Sequence, residues 1–164
     1  MGIKKIVLHW SASQYEPNKT DLEHYHFLFN GNGDLIIGLH KPEDNINCND
    51  GNYAAHCGGG NSGAVGIALC GMLGYKSPQN VGKYPLKQVQ FENAFKLTAE
   101  LCKKYGLTVN PATVFTHYEF GRFHPSTSSA GKIDISFIPY LPKLNPNEIG
   151  DYIRNKVQYY YERL

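Results

Sequence analysis

Two apolar runs in this chain end in histidine: "IVLH", Ile6 to His9, and "TVFTH", Thr113 to His117. Neither alternates with polar residues, and a run of that kind reads as a strand buried inside a sheet. "AVGIALCG", beginning at Ala64, is a third strand of the same character. In "YHFLFNGNGDLIIGL" two aliphatic and aromatic runs flank Asn30 to Asp34. The asparagines and glycines between them tolerate positive φ, so a hairpin is expected there.

Helix signals interleave with these strands. From Pro85 to Tyr105 the apolar residues Leu86, Val89, Ala94, Leu97, Leu101 and Tyr105 recur at helical spacing, and Gly106 stands where a C-cap glycine would. Near the C-terminus Asn145, Pro146 and Glu148 form a helix start, with Ile149, Ile153 and Val157 along one face, so a helix is expected over about residues 146–163. The architecture expected is α/β, a mixed central sheet flanked by helices. "KPEDNINCNDGNYAAHCGGGNSG", rich in glycine and asparagine, is a long irregular loop of the kind that often forms a binding wall.

At 164 residues, with no internal repeat, the chain suits a single domain over 1–164. No apolar run approaches the roughly 20 residues of a membrane span. The apolar stretch Ile6 to Leu8 is far shorter than the roughly 7 to 15 residues of a signal-peptide core. Synthesis in the cytoplasm without a signal peptide is therefore expected. A net charge of +2, from 16 basic and 14 acidic residues scattered along the chain, does not support nucleic-acid binding. The cysteines Cys48, Cys57, Cys70 and Cys102 form no C-x-x-C pair, which favours reduced, mostly buried thiols. A monomer is expected.

His9 and His117 both close a strand, where ligand sites of α/β sheets tend to gather. Two such imidazoles can share a zinc ion with a third protein ligand, although a strand-end histidine is more often bonded to a carbonyl. "SAGKIDISFIPYLP" offers that third ligand. If extended, it projects Lys132 and Asp134 to one side. Asp134 then completes a His, His, Asp set, and the Lys132 ammonium can neutralise an oxyanion. The plainer reading of K-x-D is a surface ion pair. His24 and His26, two apart on an expected strand, could form a metal pair, but core packing or a hydrogen bond is the preferred reading. His40 and His124 read as loop histidines, and the tyrosines of "YYYE" as helix packing.

Taken in order, "IVLHWSAS", "YHFLFNGNGDLIIG", "AAHCGGGNSGAVGIALCG", "TVFTHYEFG" and "GKIDISF" resemble the successive motifs of the zinc-dependent N-acetylmuramoyl-L-alanine amidases. These belong to the type-2 amidase and peptidoglycan recognition protein superfamily, and the bacteriophage lysozyme-type endolysins are the nearest comparison. The resemblance spans about residues 4–140. It implies one zinc ion on His9, His117 and Asp134, with Tyr25 and Lys132 as catalytic residues and His56 and Asn61 at the substrate. It implies bacterial peptidoglycan as partner, and action on the cell wall after release from the cytoplasm. Two departures stand out. Where the cytoplasmic recycling branch carries a catalytic glutamate, this chain has Ala68, which leaves Glu23 or Glu119 as other candidate bases. Tyr25 also follows His9 by only 16 positions, so the family's first long helix is expected to be truncated. The same fold serves non-catalytic peptidoglycan receptors, which typically lack a zinc ligand.

Overall fold

A computed structural model describes residues 2–164. Its strands are β1 (Lys5–Trp10), β2 (Phe27–Phe29), β3 (Leu35–Ile37), β4 (Ala64–Leu69) and β5 (Val114–Thr116). Its helices are α1 (Lys19–His24), α2 (Gln88–Tyr105), α3 (His117–Phe123) and α4 (Ile149–Tyr161). The strands form one sheet in the order β3-β2-β4-β1-β5. β1 runs parallel to β4 and β5, β2 runs parallel to β4, and only β3 is antiparallel, paired with β2. This is the mixed α/β sheet that the buried runs and the single hairpin demanded. The hairpin closes on Asn30, whose Oδ1 accepts the backbone N–H groups of Asn32 and Asp34, with Gly33 at φ 82°.

Alternation along the strands divides the core in two. Ile6, Leu8 and Trp10 of β1 and Val65, Ile67 and Leu69 of β4 pack with Phe91 and Phe95 of α2 and Ile149, Ile153 and Val157 of α4. Each such side chain, fully removed from water, contributes about 2 kcal/mol before entropy is counted. The opposite face holds smaller clusters, one of Val7, Cys57, Ala64, Phe115 and Phe120 and one of Leu28, Ala68 and Cys70. His9 follows Val7 by two residues and therefore projects from this second face, which is covered by loops and short helices.

Several boundaries differ from the sequence expectation. α2 begins at Gln88 instead of Pro85, because Lys87 is extended and its N–H is bonded to the Gln90 Oε1. Val89, expected on the apolar face, is 44% exposed. The buried residue is Gln90, whose Nε2 donates to the carbonyls of Phe29 and Cys70 and ties the helix to the ends of β2 and β4. Counting apolar residues cannot detect an amide buried with its hydrogen bonds satisfied. The terminal helix starts after a 3-10 turn, Pro146–Glu148, and ends at Tyr161, so it is shorter than 146–163. α1 has only 6 residues, in line with the expected truncation. His24 closes α1 and His26 precedes β2, so these two histidines do not share a strand. All four cysteines are free, and Cys57, Cys70 and Cys102 are buried.

Candidate metal centre

Three elements bring one ligand atom each to a single point. β1 ends next to β4, and the register that sets His9 beside Ala68 leaves the imidazole room on the loop-covered face. β5 stops at Thr116, the N-cap of α3, so His117 is the first helical residue and turns toward His9. Asp134 lies in a turn, not in the extended segment expected from its K-x-D spacing. Ile135 takes a left-handed φ of 63° and enters the helix-side core, which lets its neighbour Asp134 face the other way. His9 Nδ1 lies 2.8 Å from Asp134 Oδ2 and 3.2 Å from His117 Nδ1, and His117 Nδ1 lies 3.1 Å from the same Oδ2. All three side chains are buried, and these atoms lie close enough to hold one metal ion.

The tautomers follow from the groups behind the imidazoles. His56 Nε2 is 3.0 Å from the Ala64 carbonyl, which can only accept, so that nitrogen carries the proton. Burial drives the His56 pKa well down, the ring is neutral, and its Nδ1 accepts from His9 Nε2–H at 2.9 Å. Ser129 Oγ donates to the Gly58 carbonyl at 2.7 Å and must therefore accept from His117 Nε2–H at 2.9 Å. A neutral imidazole protonated at Nε2 has a bare Nδ1. While both rings are neutral, two nitrogen lone pairs and a carboxylate oxygen thus converge at hydrogen-bond distance with no donor among them. Such a set needs a cation at its centre.

The electrostatics agree. Burial pushes His9 down to about 4, although Asp134 pulls the other way. Burial also opposes charge on His117, but the hydrogen bond and negative charge of Asp134 outweigh it and raise the ring to about 9. Burial would raise the Asp134 carboxyl, yet the His117 and His9 imidazoles, each within hydrogen-bond distance of it, hold it well below the usual carboxylate range. The centre holds a carboxylate and attracts positive charge, either a proton or a metal. Two imidazole nitrogens and one carboxylate oxygen, with further coordination open to the cavity, match the three-ligand pattern of catalytic zinc sites.

The centre forms one wall of a cavity of about 630 Å³, which Tyr25, His56, Asn61 and Lys132 also line. Tyr25 caps α1, and its ring lies 5.1 Å from that of His9. Burial and then the charge of Asp134 raise its phenol, so the hydroxyl keeps its proton. Lys132 is exposed at the mouth. His56, expected at the substrate, lines the cavity with both ring nitrogens engaged within the protein, Nδ1 by His9 and Nε2 by the Ala64 carbonyl. Gly66 makes room for it, since a Cβ there would meet the His56 ring at 2.6 Å. The Asn61 Oδ1 likewise accepts from the backbone N–H groups of His56 and Cys57 and fixes the loop.

Neither candidate base occupies the centre. Glu119 is bound by both Nη atoms of Arg154, and Glu23 lies 3.9 Å from the exposed Lys19 and does not line the cavity. Ala68 packs with Leu28 and Cys70. Sequence reasoning missed Ser129, the partner of His117. Its only signal was the general need of a ligating imidazole for an outer partner. Among the described residues the non-glycine positions with left-handed φ are Ala12, Met72 and Ile135. The first two line the cavity and the third follows Asp134, so backbone strain gathers at this site.

A family model described as N-acetylmuramoyl-L-alanine amidase matches residues 1–134, a span that includes His9, His117 and Asp134. No curated protein sequence matches the chain. Among solved structures, the fold is similar to the hydrolase AmiA of Staphylococcus aureus, with TM-score 0.63 and 15% identity over 98% of this chain and 73% of that one. It is similar to the amidase LysC of Clostridium intestinale URNW, with TM-score 0.57 and 15% identity over 96% and 87%. The Drosophila peptidoglycan recognition protein SD aligns with TM-score 0.52 and 16% identity over 80% and 73%. At such identities the structural likeness speaks for the fold, while the family match spans most of the sequence. The chain belongs to the N-acetylmuramoyl-L-alanine amidase family.

Proposed function

We propose that this protein is a zinc-dependent peptidoglycan amidase that hydrolyses the amide between the lactyl group of N-acetylmuramic acid and L-alanine. The observation that carries the reading is the convergence of His9 Nδ1, His117 Nδ1 and Asp134 Oδ2, with the Nε2–H of each ring engaged behind it so that the neutral imidazoles turn their Nδ1 lone pairs to one point. Held by His9, His117 and Asp134, zinc would supply a Lewis acid able to polarise a carbonyl and to lower the pKa of water toward about 7.

The chain's own residues do the rest. His56 and Ser129 hold the two imidazoles in orientation. Lys132 offers its ammonium to the negative charge that develops on the carbonyl oxygen. Tyr25, kept protonated, offers a hydrogen bond to the attacking water or the carbonyl, and the departing alanine amine takes up the proton that the water gives up, so the phenol ends the cycle as it began. With Ala68 in place of a carboxylate, the tyrosine is the proton-bearing group beside His9.

The likeness to a peptidoglycan recognition protein supports a second reading, a receptor that binds the polymer without cutting it. Retention of a complete His, His, Asp set favours the enzyme. Mass spectrometry of peptidoglycan digested by the zinc-loaded protein decides the matter. Free stem peptides with an L-alanine amino terminus and uncut glycan are expected. New reducing sugar ends without free alanine amines would identify a glycosidase, and intact polymer with bound protein would identify a receptor. The endolysin role is part of this proposal, and it predicts that purified walls lose turbidity under the same treatment.

A further inference from the structure

His117 sits at a junction braced from outside the family match, which ends at residue 134. Thr116 caps α3: its side chain accepts from Glu119 N–H at 3.0 Å, while Glu119 Oε1 accepts from Thr116 N–H at 3.1 Å. This reciprocal pair fixes the turn that aims the His117 side chain. The same carboxylate is gripped by Arg154 of α4, with Nη1 to Oε1 at 3.0 Å and Nη2 to Oε2 at 2.9 Å. Arg154 Nη1 also donates to the Val114 carbonyl of β5 at 2.9 Å. One guanidinium therefore holds the strand before His117 and the helix turn after it. α4 approaches this closely because residue 150 is glycine: a Cβ there would lie 2.0 Å from Glu119 Oε2. The Arg154 and Glu119 side chains are 10% and 12% exposed, so the pair is shielded from solvent.

We infer that Arg154 and Glu119 are positioning residues for the metal ligand His117, through which the C-terminal helix tunes the affinity and geometry of the centre. The inference rests on the proposed metal reading. Bracing of this kind reaches the metal in the way that hydrogen bonds behind a ligating imidazole do, where a lost partner lowers affinity by about 10 to 100-fold.

The test compares wild type with two variants. The double variant Arg154→Met, Glu119→Gln removes both charges together, so no buried ion is stranded, and Gln keeps an oxygen for Thr116 N–H. Gly150→Ala leaves both residues in place and raises helix propensity, while its methyl displaces the carboxylate. The readouts are zinc affinity by chelator competition, the visible spectrum of the cobalt-substituted protein, and the melting temperature of the zinc-free protein. Both variants are expected to keep their zinc-free fold, to bind zinc at least about tenfold more weakly and to show shifted cobalt bands. Should the double variant fail to fold, Gly150→Ala decides, because a helix-favouring methyl has no other route to the metal. Wild-type zinc affinity with unshifted cobalt bands in the folded variants overturns the inference. Wild type that binds no zinc overturns the metal reading instead.

Discussion

At the residue scale, roles within the centre separate by what each side chain does to the metal and what it does to developing charge. Lys132 and Tyr25 make none of the contacts that assemble the three ligand atoms. Lys132→Ala and Tyr25→Phe should therefore retain zinc while turnover falls, by about 100 to 1,000-fold if each removes one donor to the transition state. Asp134→Ala should lose the metal together with activity. Turnover measured beside zinc stoichiometry checks all three, and near-normal rates in the first two would reject the catalytic assignment. His56 gives a different test. Its imidazole holds His9 Nε2–H at 2.9 Å, so His56→Ala should weaken zinc binding by about 10 to 100-fold. Unchanged zinc affinity with a raised KM would return it to the substrate-contact role that sequence reading gave it.

At the element scale, the second face of the sheet works because β4 carries small residues opposite the centre. Gly66 lies where the His56 ring packs and Ala68 lies beside His9 in the strand register. Gly66→Ala places a methyl 2.6 Å from that ring, and neighbouring backbone leaves it no escape, because Gly66 N–H is already bonded to His26 Nδ1. The substitution should destabilise the protein by about 1 to 3 kcal/mol through overpacking and weaken zinc binding as His56 shifts. Urea unfolding and chelator competition on the same preparation measure both effects. The strands themselves were legible, because buried strands announce themselves as short unbroken apolar runs. The turn at Asp134 was not, because a left-handed isoleucine has no signature in sequence and is imposed by the demand that Asp134 and Ile135 face opposite cores.

At the scale of the whole molecule, stability should depend on pH and on metal. His26 is fully buried, donates from Nε2 to Asn45 Oδ1 and accepts from Gly66 N–H, which fixes it as a neutral ring. Burial lowers it from 6.5 to about 4. Below pH 6.5 the unfolded chain takes up a proton that the folded chain refuses. The contribution is complete above that pH and is lost as pH falls toward 4, on the order of 3 kcal/mol in all. His26→Gln can reproduce both hydrogen bonds without titrating. Its zinc-free form should lose less stability than wild type between pH 6.5 and 4.5, and equal losses would show that His26 does not govern the acid limb. Under the proposed zinc reading the ion binds only the folded centre, so chelation should lower the melting temperature of the loaded protein and zinc should restore it. A melting temperature indifferent to chelator would argue against a folded-state metal site.

The sequence by itself determined the layered α/β sheet, the hairpin, the positions of both strand-ending histidines and the aspartate that joins them, because periodicity and ligand chemistry are written residue by residue. Only the tertiary structure decided which groups stand behind the ligands. His56 and Ser129 turned out to set the tautomers, and Glu119 proved to be the partner of Arg154 instead of a base. Those roles depend on contacts between residues 12, 35 and 47 positions apart, made where separate elements meet. Local pattern carries no information about such meetings, because hydrogen-bond partnership across a fold is settled by packing and by the need of every buried polar group for a partner.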